Sequence, residues 1–183
     1  FNIKKIISFE PNKKIFSKLK NNTKRNSNIE IVNYGVGENK ETKNLNINVE
    51  SSSSSINELR IDSNYYKKKF FLTNLFKVNV MEEKVSINVI KLDDYINENK
   101  IENIDLLKID TEGFEFNVLK GAHKNLEYIK IIYFEHHFDN MIIKNYNLSD
   151  IHNYLFEHGF KKYFKIKMKF RKSFEYIYIN KTL

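Results

Sequence analysis

Cysteine is absent from the 183 residues, which removes both a disulfide framework and a thiolate metal site. Nothing in the composition calls for an oxidising compartment, so the cytoplasm is the default location. Long apolar runs are missing as well. Stretches such as Ile131 to Phe134 fall far short of the roughly 20 residues that a membrane span needs. The N-terminus lacks the pattern of a signal peptide, and a sequon such as Asn147-Leu148-Ser149 is expected to be chance in an asparagine-rich chain. Tryptophan is also missing, so the 14% aromatic share is all Phe and Tyr. Together with abundant Lys and Asn, this resembles the residue usage of an AT-rich genome and lowers the functional weight of the charge.

What is present suits one domain over residues 1–183, because 41% hydrophobic residues are enough to close a core. The net charge of +8 raises nucleic acid or an anionic membrane as partners, since clustered cations gain from neutralising phosphates. The lysines are scattered, however. The dense groups are Lys67 to Lys69 and the stretch Lys165 to Lys172, where Ile166, Met168 and Phe170 alternate with basic residues as on a strand with a wet face.

The chain begins at Phe1 and within a few residues enters an apolar β-like run, Ile6 to Phe9, so a start inside a domain is expected. Glu10-Pro11-Asn12 ends that strand, and Asn12 can cap a helix with Ile15, Phe16 and Leu19 on one face. A second run, Ile29 to Tyr34, ends at Gly35-Val36-Gly37, where two glycines permit a tight turn. Leu45, Ile47 and Val49 alternate with polar residues, as do Val85, Ile87 and Val89, and the two segments are expected to pair. Between them, residues 51–80 open with five serines and show no firm period, which suits a loop or a substrate-selecting lid over the sheet edge.

A short helix is expected from about Asp93-Asp94. Ile104 to Ile109 then reads as a strand buried on both faces. Gly113 follows, then a helix with Phe114, Val118, Leu119 and Ala122 at core spacing. Ile129 to Phe134 is the next strand, ending in Glu135-His136-His137. Ser149 or Asp150 opens a helix that stops at Gly159, and two strands, about Tyr163 to Phe170 and Phe174 to Ile179, close the chain as a hairpin. Alternating strands and helices predict an α/β fold with a mostly parallel sheet and a C-terminal antiparallel hairpin. Ligands bind such sheets at the carboxyl ends of the strands, where the sequence places Glu10, Gly35 to Gly37, Asp110 to Gly113 and Glu135 to His137.

Carboxylates are costly beside an apolar core unless something compensates them. Glu10 has the position from which an acid accepts hydrogen bonds from ribose hydroxyls, though a solvated carboxylate near a helix N-terminus would read the same. Helix capping explains one of Asp110 and Glu112 but not both. DTEGFE lacks the ligand pattern of an EF-hand, while Asp110, Glu112 and a histidine could still hold a divalent ion. Glu135, His136 and His137 can supply a general base.

The order of FEPN (Phe9 to Asn12), NYGVGE (Asn33 to Glu38), KLDDY (Lys91 to Tyr95), LLKIDTEGFEFNVLKGA (Leu106 to Ala122) and FEHH (Phe134 to His137) resembles the FkbM family of methyltransferases over nearly the whole chain. The resemblance implies a class I, Rossmann-like fold that moves a methyl group from S-adenosyl-L-methionine to a hydroxyl of a sugar, glycan or other small metabolite. It implies that Glu10 holds the ribose hydroxyls, that Gly35, Val36 and Gly37 border the adenine, and that Asp110 lies near the methionine end. Glu112, Glu135 and His136 are then the candidates for substrate binding or proton removal. The family's first strand and glycine-rich loop, of the form DxGANxG, should precede FEPN. Only Phe1 to Ser8 stand there, so the chain is expected to be an N-terminal truncation that binds cofactor poorly by itself. A nucleic-acid methyltransferase and a non-catalytic binding protein derived from the fold are the alternatives.

Overall fold

The first apolar run forms β1 (Ile6–Phe9) and stops before Pro11, which has no backbone N–H to give. Asn12 then caps α1 (Lys13–Thr23), its Oδ1 accepting from the Lys14 N–H at 3.0 Å and the Ile15 N–H at 3.5 Å. The computed structural model describes residues 3–48, 54–58, 60, 62–63, 82–138, 142–168 and 172–182. Its further elements are β2 (Ile29–Val32), β3 (Gly35–Gly37), β4 (Glu41–Asn48), β5 (Ser54–Ser55), β6 (Glu82–Lys91), α2 (Leu92–Glu98), β7 (Ile104–Ile109) and α3 (Glu115–Gly121). A 3₁₀ turn (His123–Tyr128), β8 (Ile129–His137), α4 (Leu148–Glu157), β9 (Phe160–Lys167) and β10 (Ser173–Asn180) complete the chain.

These strands form three hydrogen-bonded sheets. β1 and β2 pair in parallel. β3 runs parallel to β6, which also pairs antiparallel with β4, so that Leu45 faces Val85 as the matched alternation predicts. The third sheet has the order β7-β8-β10-β9, with β7 parallel to β8 and β10 antiparallel to both of its neighbours. The sheets are therefore mixed rather than mostly parallel among the described residues. The long β4–β6 ladder and the terminal β9–β10 hairpin outweigh three short parallel pairings. Gly35 to Gly37 differ from expectation in the same way, forming a strand and not a turn.

One core holds the third sheet to its helices. Ile109, Ile132, Phe134, Tyr176 and Tyr178 present one face of the sheet to Val118, Leu119, Leu126, Ile151 and Leu155. Phe134 stacks on Tyr176 and Tyr178 at 5.6 and 5.7 Å between ring centroids. A smaller cluster of Leu45, Ile87 and Val89 supports the second sheet. β7 is not buried on both faces. Leu106 is 53% exposed, as β7 ends its sheet, pairing among the described residues with β8 alone. β9 likewise ends the sheet on the other side, and Ile166, expected on a dry face, is exposed with its lysine neighbours. α1 buries none of its residues. The helix expected from Ser149 or Asp150 starts at Leu148, with Asn147 as its cap: the Asn147 Oδ1 accepts from Ser149, and Asp150 Oδ2 accepts from the Asn147 N–H in return. Most of the irregular stretch 51–80, with its expected lid, and Lys67 to Lys69 lie outside the described residues.

Candidate functional site

The turn Asp110-Thr111-Glu112-Gly113 leaves β7 and enters α3 through two residues with positive φ, Glu112 at 49° and Gly113 at 97°. A left-handed conformation at Glu112 costs on the order of 1 kcal/mol or more, and Gly113 has no room for a side chain, since a Cβ there would lie 2.5 Å from Ile142 Cγ2. Such a turn needs holding. Glu115, almost wholly buried, accepts from the Gly113 N–H at 2.7 Å and from Thr111 Oγ1 at 3.2 Å through one oxygen, and from the Tyr146 hydroxyl at 2.5 Å through the other. Burial first, then the Glu115 charge, raises the Tyr146 hydroxyl well above its ordinary value. From the opposite side, Ser55 Oγ donates to the Glu112 carbonyl at 2.8 Å and Asn57 Nδ2 to the Gly113 carbonyl at 2.5 Å.

At the end of the adjacent strand, alternation sorts the acids and histidines by face. Glu135 and His137 share a side. His137 Nε2 lies 3.1 Å from Glu112 Oε2 and 3.7 Å from Glu135 Oε1, so that imidazole stands between two carboxylates. His136 points the other way, against the rings of Phe138 and Tyr146. The structure thus joins Glu112 with Glu135 through His137 and leaves His136 on the opposite side of the strand.

Burial, with the charges of Lys144 and His137 acting in the same direction, pushes His136 down to about 4 from its ordinary 6.5. The unfolded chain then takes up a proton that the folded chain refuses. His136's contribution to stability is whole above about pH 6.5 and is lost as the pH falls toward 4. The urea midpoint is expected to fall more steeply over that window in the parent protein than in His136→Asn. Parallel pH profiles for the two proteins would contradict it.

The Glu135 and His137 side of the sheet carries more polar groups. Glu175 on β10 stands opposite Glu135, and Ser173 opposite His137. The Tyr133 hydroxyl is pushed up to about 12, first by its hydrogen bond to Glu175, with the charges of Asp110 and Glu135 adding to the effect. Asp110 itself pairs with Lys108 at 3.3 Å. Four carboxylates from two strands and one turn, Asp110, Glu112, Glu135 and Glu175, therefore share one region. Among the described residues, Glu135 Oε1 has no hydrogen-bond partner, nor has Ser173 Oγ, although both are buried.

Glu10 lies half-buried directly after β1. Its Oε1 accepts from the Asn12 N–H at 2.8 Å, and burial raises its carboxyl above the usual carboxylate range. Gly35 and Gly37 are small for a packing reason: a Cβ on Gly37 would lie 2.9 Å from Val89 Cγ1 and 3.0 Å from Phe114. Val36 packs on the main core. Among the described residues, no three His, Asp or Glu side chains are arranged to hold a metal ion.

Sequence reasoning passed over Glu115, Ser173, Glu175 and Tyr133, and left His137 out of its catalytic set. The matching parity of Glu135 and His137 along one strand was the available signal for the last. Asp93, read in the sequence only as a helix start and part of KLDDY, accepts from the Lys124 N–H at 3.1 and 3.2 Å and from Asn125 Nδ2 at 2.9 Å, pinning the 3₁₀ turn.

Parallel strands feeding helices, with acids gathered at their carboxyl ends, are the layout of an α/β domain that binds its ligand at that edge. The model of the methyltransferase FkbM domain matches residues 1–162. The chain belongs to the FkbM methyltransferase family. The crystal structure of methyltransferase FkbM from Methylobacillus flagellatus KT is similar over 96% of this chain, with a TM-score of 0.57 and 19% identity, and the chain spans 36% of that protein's length. At that identity the likeness speaks for the fold alone. A search of curated proteins gave no match.

Proposed function

We propose that this chain is the catalytic part of an S-adenosyl-L-methionine-dependent O-methyltransferase acting on a hydroxyl of a sugar, glycan or other small metabolite. The observation that carries the reading is electrostatic. In a chain of net charge +8, four carboxylates gather at one place, Asp110, Glu112, Glu135 and Glu175, and a concentrated negative field favours a cation. S-adenosylmethionine supplies a methyl group on a positively charged sulfur.

The residues present fit that donor. The Asn12 N–H fixes the Glu10 carboxylate through Oε1, leaving Oε2 to accept from ribose hydroxyls. Gly35, Val36 and Gly37 border the adenine in this reading, and Asp110 faces the methionine end. Methyl transfer to oxygen needs an in-line approach and removal of one proton. Glu135, whose Oε1 has no hydrogen-bond partner among the described residues, would take the proton of the acceptor hydroxyl, and S-adenosylmethionine, when bound, would supply the methyl group, its sulfur keeping the electron pair of the C–S bond. His137 and Glu112 hold Glu135 in place. His136, neutral by burial and turned to the other face, orients the strand end.

Calorimetric titration of the protein with S-adenosylmethionine is expected to show one weak site. Glu10→Ala is expected to weaken it by roughly tenfold or more, as for loss of hydrogen bonds to a charged group. Transfer of labelled methyl to a panel of sugars is expected to fall in Glu135→Gln with little change in cofactor affinity. No heat of binding at millimolar cofactor would overturn the reading.

A further inference from the structure

Two histidines and a tyrosine converge away from the carboxylate site. His123 opens the 3₁₀ turn, while Tyr154 and His158 stand one turn apart at the end of α4. His158 Nδ1 lies 2.7 Å from the Tyr154 carbonyl oxygen. A carbonyl only accepts, so that nitrogen carries the hydrogen and the neutral ring presents its lone pair at Nε2. Nε2 in turn lies 3.1 Å from His123 Nδ1, which is itself 3.0 Å from the Tyr154 hydroxyl oxygen.

The hydrogens available do not serve these three atoms equally. If His123 Nδ1 carries a hydrogen, one N–H is shared between two acceptors. If it does not, it accepts from Tyr154 and its lone pair faces that of His158 at 3.1 Å. A divalent cation resolves the second case by accepting both lone pairs, and the first once the His123 hydrogen moves to its Nε2. The spacing suits one: metal–nitrogen bonds of about 2.0–2.1 Å at tetrahedral to right angles separate their donors by roughly 2.9–3.4 Å.

We infer that His123 Nδ1 and His158 Nε2 form a two-imidazole site for a zinc-like divalent ion, with the Tyr154 hydroxyl beside them. The Tyr154 carbonyl does for His158 what outer partners do for metal-binding histidines, fixing tautomer and ring orientation. The surrounding charge agrees. The C-terminal end of α4 is the negative end of its dipole. Asp93 and Glu38 place negative charge near Tyr154, and the nearby Lys120 is engaged by Glu38 at 3.2 Å. His123 is exposed and His158 half-buried, so an ion has access from solvent. Bound there, it would tie the end of α4 to the 3₁₀ turn.

Calorimetric titration of the protein with Zn²⁺ tests this. One ion per chain is expected, with His123→Ala and His158→Ala each weakening binding on the order of tenfold or more. His152→Ala, a third histidine on α4 that faces Tyr178, is expected to leave it unchanged. Cu²⁺ in the same site is expected to show couplings to two nitrogens by electron paramagnetic resonance. Equal affinity in the double variant H123A/H158A, an equal loss in H152A, or no uptake at about 1 mM Zn²⁺ would overturn the inference.

Discussion

Gly121→Ala is expected to destabilise the fold by about 3 kcal/mol, read as a fall in the urea midpoint. The sign makes the test sharp, because within a helix alanine ordinarily gains roughly 1 kcal/mol over glycine. Here the helix ends against backbone. A Cβ on Gly121 would run into the Gly37 carbonyl oxygen and stand 2.9 Å from the Gly37 carbonyl carbon. Gly37 has little room to move: its strand is paired with β6, and Val89 and Phe114 fill the space beside it. No rotamer change relieves a clash with a peptide group, so α3 would have to lift from β3, carrying Phe114, Val118 and Leu119 out of the core. A midpoint within experimental error of the parent, or above it, would show that the two elements do not meet at backbone distance.

That contact also shows what a sequence can and cannot convey. The glycine in LKGA was visible as a letter, but its reason lies in a strand more than eighty positions earlier. Local chemistry read well: Asn12 was recognisable as a cap, the alternation of Val85, Ile87 and Val89 as a strand, and Gly159 as the end of a helix, with φ +85°. Each of those depends on residues within a few positions of one another. β7 misled because an apolar run reports the side chains but not the number of neighbours, and an edge strand leaves Leu106 exposed. The site was legible to the same depth. Acids at strand ends could be placed along the chain, but their pairing is set by register. Only the cross-strand pairing of β8 and β10 brings Glu175 to Glu135 and Ser173 to His137, and only the positive-φ turn aims Glu112 at His137.

Glu115→Ala is expected to cost about 3 kcal/mol or more, because it removes the one carboxylate that satisfies three buried or half-buried donors. The Gly113 N–H and the Tyr146 hydroxyl would be left without their acceptor, and the turn would lose the bond that offsets its left-handed backbone. Tyr146→Phe alone removes one donor and leaves the charge, so it is expected to cost less. In the double variant, part of the loss should be recovered, since the stranded hydroxyl has gone with its partner; a coupling of about 1 kcal/mol or more is the signature of a direct buried pair. Simple additivity would mean that Tyr146 and Glu115 act independently. The same variant bears on the site, because Glu112 is aimed by the turn that Glu115 holds. If the carboxylate region binds the cationic donor, Glu115→Gln, which keeps the size and one acceptor oxygen, should bind S-adenosylmethionine more weakly while remaining folded. The turn is then not merely a link between β7 and α3, but the element through which a buried acid sets the position of a half-buried one.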